Sequence, residues 1–144
     1  MRRYLAAAVL AASALAAPAL ADDTPALVTV LTSEEPQTQL MSMVLTMQAL
    51  KQGSATYTLL CGPGGDLALK DAPEAATAPQ KPQGMSPQKL MQMIMAEGGM
   101  VEVCALYLPN KEVGPEALLD GIGVAMPPAM AARLLADDTR LLSF

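Results

Sequence analysis

The feature that most constrains this chain is the alternation of short, apolar, β-rich runs with segments of helical spacing. Ala26–Thr32 reads as a buried strand by length and β-branching. Ser33-Glu34-Glu35-Pro36 then opens a helix to Lys51, with serine as cap, acidic residues at the positive end of the dipole and Gly53 as stop. Leu40, Met43, Val44, Met47 and Leu50 keep helical spacing, and Met41 and Leu45 widen that face, which predicts burial against more than one neighbour. Ala55–Cys61 is a second strand, ended by the turn Gly62-Pro63-Gly64-Gly65. A helix from Ser86 to Glu97, a strand over Val101–Leu108 and a short helix over Gly114–Leu119 follow. The chain closes with a strand over Ile122–Ala125, a helix from Pro127 to Ala136 and a terminal strand over Thr139–Phe144.

Such alternation implies a mostly parallel sheet with helices on both faces, in one α/β domain. Residues 66–86, rich in Ala, Pro, Lys and Gln, read as an extended surface loop long enough to suggest a lid or arm. Ligands of parallel α/β sheets bind outside the carboxyl ends of the strands. Cys61 and Cys104 both fall there.

The amino terminus reads as a leader. Arg2 and Arg3 precede an apolar run over Leu5–Ala17, and Ala19 and Ala21 form the small-x-small signature of signal peptidase, with cleavage expected after Ala21. The run is too short for a permanent membrane span, which needs about 20 residues. The arginine pair also opens the way to twin-arginine export, but its neighbours fit the general secretory route better. The expectation is an exported, periplasmic protein: leader 1–21, mature domain 22–144, with no membrane association after cleavage. The leader takes two of the nine Lys and Arg but none of the 14 acids, so the mature chain is more acidic than the whole chain's net −5. That acidity argues against nucleic acid and anionic membrane as partners.

Absences narrow the chemistry. With no His, imidazole triads, proton shuttles and the usual zinc and iron sites are excluded. With no Trp, one Phe and three Tyr, stacking platforms for bases or sugars have no material. The Gly62–Gly65 turn lacks the Gly-Lys-Ser/Thr ending of a phosphate loop. No cofactor is expected.

Two cysteines remain. Cys104 at a strand's carboxyl end is placed as a reactive thiol needs to be, but a buried small hydrophobe would sit there equally well. Cys61 is its candidate redox or disulfide partner if the two strands are neighbours. Met85, Met91, Met93, Met95 and Met100 crowd one segment, and thioethers select Cu(I). Leu90, Met91, Ile94 and Met95 also make an ordinary helix face with Met93 opposite, so packing competes with copper as the explanation.

The run Gly98-Gly99-Met100-Val101-Glu102-Val103-Cys104-Ala105-Leu106-Tyr107-Leu108-Pro109-Asn110, followed by Leu118-Leu119-Asp120-Gly121-Ile122, resembles the DsrE/DsrF-like (YchN-like) family. The resemblance implies a three-layer α/β/α fold with a five-stranded parallel sheet and assembly as homotrimers or hexamers. It also implies that Cys104 matches the cysteine carrying persulfide sulfur in the sulfur-relay members. Leu106-Tyr107-Leu108-Pro109 stands where those members have a small-residue, arginine-bearing run. Sulfur or thiol redox chemistry through Cys104, with an unidentified sulfur or thiol donor, is the leading expectation. The alternatives are an oligomeric binding or scaffold domain stapled by a Cys61–Cys104 disulfide, and Cu(I) binding by the methionines.

Overall fold

A computed structural model describes residues 24–144; the leader expected at 1–21 lies outside them. Five strands form one sheet in the order β4-β3-β2-β1-β5, and every neighbouring pair is parallel. They are β1 Ala26–Leu31, β2 Thr56–Leu60, β3 Met100–Cys104, β4 Gly123–Ala125 and β5 Thr139–Ser143. The helices are α1 Pro36–Lys51, α2 Glu74–Thr77, α3 Pro87–Ala96, α4 Tyr107–Lys111 and α5 Pro127–Leu134, with 3-10 turns at Gly62–Ala68 and Pro115–Ala117. From β1 to β4 the chain steps in one direction along the sheet, which places α1 and α3 together on one face. The return to β5 reverses that direction, and α5 packs on the other face through Met130. The three-layer α/β/α fold with a five-stranded parallel sheet is the one expected from the sequence.

The main core lies between the sheet and α1 and α3. Leu31, Met43, Leu60, Leu67, Met91, Ile94 and Val103 are fully buried there. The smaller core gathers Val28, Tyr57, Leu59, Ala125 and Met130, and the Arg133 guanidinium lies 4.1 Å over the Tyr57 ring.

Several sequence expectations need correction. Met41 and Leu45 do not widen a buried face of α1; Met41 is 52% exposed. The buried positions are Gln39, Ser42, Met43, Thr46 and Met47. Polar residues are tolerated there because most find partners: Thr46 Oγ1 lies 2.8 Å from Thr29 Oγ1 on β1 and donates to the Ser42 carbonyl, while Ser42 Oγ donates to the Gln39 carbonyl. The cap of α1 is Glu35, whose carboxylate accepts from the Gln37 and Thr38 amides; Ser33 Oγ accepts from the Glu35 amide instead. β3 ends at Cys104, and Tyr107–Lys111 is helical, so the apolar run to Leu108 is not one strand.

Residues 66–86 are no free loop. Leu67, Ala68, Leu69 and Ala76 are buried, and Gln88 Nε2 donates to the carbonyls of Leu67 and Leu69. The Lys70 amide donates to the Ala117 carbonyl and the Leu119 amide to that of Ala68, which stitches the segment to the chain before β4. Only its later part, around Lys81–Gly84, is exposed throughout.

Candidate functional site

The parallel register of β2 and β3 pairs Leu60 with Val103, so the next residues, Cys61 and Cys104, stand side by side at the carboxyl edge. Side chains alternate between faces along a strand. Cys61 packs with Leu59 against the smaller core, while Cys104 touches both that core and the main one, so the pair sits at the carboxyl edge where the two layers meet. Their Cα atoms are 5.1 Å apart, within disulfide range, and the two residues form a disulfide. No free cysteine remains among the described residues. Both are partly exposed rather than sealed in the core.

The disulfide lines a cleft of about 650 Å³, together with Glu34, Pro63, Asp66, Leu106, Tyr107 and Lys111. Its walls are the segments that leave the two strands. On one side the 3-10 turn Gly62–Ala68 is drawn against β1: the Cys61 amide donates to the Leu31 carbonyl and the Gly64 amide to that of Thr32. Residue 64 has to be glycine, because a Cβ there would strike the Leu31 carbonyl oxygen. On the other side stands α4, directly after Cys104. The two walls meet at Asp66. Tyr107 Oη donates to Asp66 Oδ1 at 2.7 Å, and Lys111 Nζ lies 2.7 Å from Oδ1 and 2.9 Å from Oδ2. Burial first, and then the hydrogen bond to Asp66 and its negative charge, hold the Tyr107 phenol protonated well above the usual tyrosine range. Leu106 is 74% exposed at the rim and gives the cleft an apolar lip.

No protein-family model matches the chain, and no curated protein matches it. Its backbone, however, is similar to those of several solved chains. The crystal structure of the ychN protein from E. coli superposes with a TM-score of 0.61 at 18% identity, covering 83% of this chain and 99% of that one. The chain has the YchN-like fold. A protein of unknown function from Methanobacterium thermoautotrophicum gives a TM-score of 0.59 at 10% identity, again over 83% of this chain and 99% of the other.

In this YchN-like domain the cysteines singled out from sequence are joined in one site, and the methionines are dispersed. Met91 is fully buried, Met93 and Met100 are exposed, Met85 lines a groove beside Met41, and Met95 lines a different cavity beside Asp120. No cluster of three or more His, Cys, Asp or Glu suited to a metal occurs among the described residues. Asp66, Tyr107 and Lys111 went unnoticed in the sequence, since the contact joins residues 41 positions apart. The one local signal was the glycine-rich turn after Cys61, which marks a close backbone approach.

Proposed function

We propose that the Cys61–Cys104 disulfide is a redox-active centre for sulfur or thiol chemistry, with Cys104 as the sulfur that accepts the incoming group. The observation that carries this reading is the disulfide's position: partly exposed, at the carboxyl edge of a parallel sheet, in the wall of an open cleft. Thiol–disulfide exchange needs access to a sulfur along the S–S axis, and a purely structural bridge needs none.

Persulfide formation at Cys104 requires no oxidant beyond this bond. A hydrosulfide anion attacks Cys104 Sγ, the S–S bond breaks, and Cys61 leaves as thiolate. Cys104 then holds the persulfide, the incoming sulfur having been oxidised and the disulfide reduced. Attack by the Cys61 thiolate on the Cys104 sulfur restores the disulfide and returns hydrosulfide, unless an acceptor takes the outer sulfur first. The leader expected at 1–21 fits this chemistry, because an oxidising compartment maintains the disulfide. Trapping with an alkylating reagent during exposure to polysulfide-free hydrosulfide, which can be oxidised only by the disulfide, tests the reading by intact mass. Wild-type protein gains one-sulfur increments and Cys104→Ser does not; equal labelling of the two overturns it.

A second reading, an assembling domain in which the disulfide is only a staple, is favoured by the α5 side of the molecule. The eight-residue α5 covers the five-stranded face incompletely. Leu141, in register with Val28, is 57% exposed and Leu135 is 82% exposed. A homotrimer or hexamer would cover such a surface. The two readings separate on whether the oxidised protein exchanges with small thiols while it stays folded.

A further inference from the structure

The disulfide is not the only link between the two segments that carry the cysteines. Asp66 lies on the 3-10 turn that begins directly after Cys61, and Tyr107 and Lys111 lie on the helix that follows Cys104. The hydroxyl–carboxylate bond and the ammonium–carboxylate pair therefore bridge the same two segments as the S–S bond, and all five residues line one cleft. The clasp is set into the packing. Tyr107 is 6% exposed, and its ring fills the space beside Gly65 where any other residue would place a Cβ. The bonds of the clasp involve neither sulfur.

We infer that Asp66 is a positioning residue for the dithiol: its bonds to Tyr107 and Lys111 keep the Cys61 and Cys104 segments apposed after reduction and so favour re-formation of the disulfide. The inference rests on the reading of this pair as a redox centre. When two electrons and two protons convert the disulfide to two thiols, a pair on unlinked segments drifts apart. A clasped pair keeps a high effective concentration, because the loss of chain freedom has already been met by other contacts. Hydrogen bonds to an ionised carboxylate are about twice as strong as neutral ones, which makes a single aspartate holding two partners sufficient for the task. The second ion pair, Lys70–Asp120, is exposed and lies outside the cleft, so it serves as an internal control.

The test is the equilibrium of the mature protein with reduced and oxidised glutathione, read as the ratio of disulfide to dithiol by alkylation and mass. The constant for disulfide formation should fall about three- to tenfold in Asp66→Asn; tenfold corresponds to about 30 mV for this two-electron couple. Tyr107→Phe keeps the ring and removes only the hydroxyl, so it should fold normally and shift the constant the same way by a smaller factor. Asp120→Asn should leave it unchanged. A constant that is unchanged or raised in both Asp66→Asn and Tyr107→Phe overturns the inference, as does an equal fall in Asp120→Asn. Sulfur uptake by Cys104, scored in parallel, bears on the redox reading alone: its absence would remove that reading while a shifted glutathione constant still upheld the role of Asp66.

Discussion

The ring of Tyr107 occupies the space that a Cβ at position 65 would need. The glycine-rich turn after Cys61 and the helix after Cys104 are thereby packed without room for a methyl group. Gly65→Ala should destabilise the domain by about 1–3 kcal/mol, the usual cost of forcing extra volume into a packed site. Urea denaturation with unchanged m-value would show it, and an unchanged midpoint would contradict the packing described.

Alkaline pH should reach the same site. The Tyr107 phenol is held protonated well above its ordinary range by burial and by Asp66. A group whose pKa is raised on folding contributes stability that is fully present below its unfolded value, here about 10, and is lost as pH rises through its folded value. Wild-type stability should therefore decline more steeply above about pH 10 than that of Tyr107→Phe. Parallel declines would show that the phenol is not the group involved.

On the neighbouring strands β1 and β2 and the helix α1, two kinds of buried hydroxyl can be told apart. Thr46 is paired with Thr29, whereas Thr58 Oγ1, on the strand beside Thr29, has no hydrogen-bond partner among the described residues. Removing one member of a buried pair costs about 1–3 kcal/mol, while removing an unpartnered hydroxyl costs little or stabilises. Thr46→Val should lower the thermal midpoint and Thr58→Val should leave it level or raise it. Equal losses from the two would contradict the assignment.

Loss of the disulfide should cost stability whatever its chemistry. With a sequence separation of 43 between the cysteines, the chain-entropy model gives about 4 kcal/mol. Replacing both by serine should lower the unfolding free energy by an amount of that order, and reduction of the wild type should match it. A loss below about 1 kcal/mol would mean that the two segments are held almost entirely by other contacts, since disulfides typically contribute more.

What could be read from sequence was whatever depends on local pattern. Ala26–Leu31 and Thr56–Leu60 carry β-branched runs of strand length, and Gly53 and Gly98 mark helix ends, so order and type of the main elements followed. The run from Val101 to Leu108 was misread past Cys104 because continuous apolarity has no period to separate strand from buried helix; Leu108 is as buried as a strand residue would be. Met41 and Leu45 misled for the opposite reason: apolar side chains of α1 were left exposed while Gln39, Ser42 and Thr46 went inside, a choice set by tertiary partners such as Thr29. Cys61 ends its strand in the sequence reading, but Cys104 becomes a strand end only because β3 stops there and not at Leu108; joining the two needed the register of β2 and β3. Asp66 looked like any loop acid until Tyr107 and Lys111 were brought to it.

The most direct test of a redox-active Cys61–Cys104 pair is peptide mapping of the oxidised protein after brief exposure to hydrosulfide and alkylation. The account predicts an alkylated persulfide on Cys104 and an alkylated thiol on Cys61 in the same molecules, with the fold intact. A disulfide that stays closed in the folded protein, or one that opens with the added sulfur on neither cysteine, would contradict it.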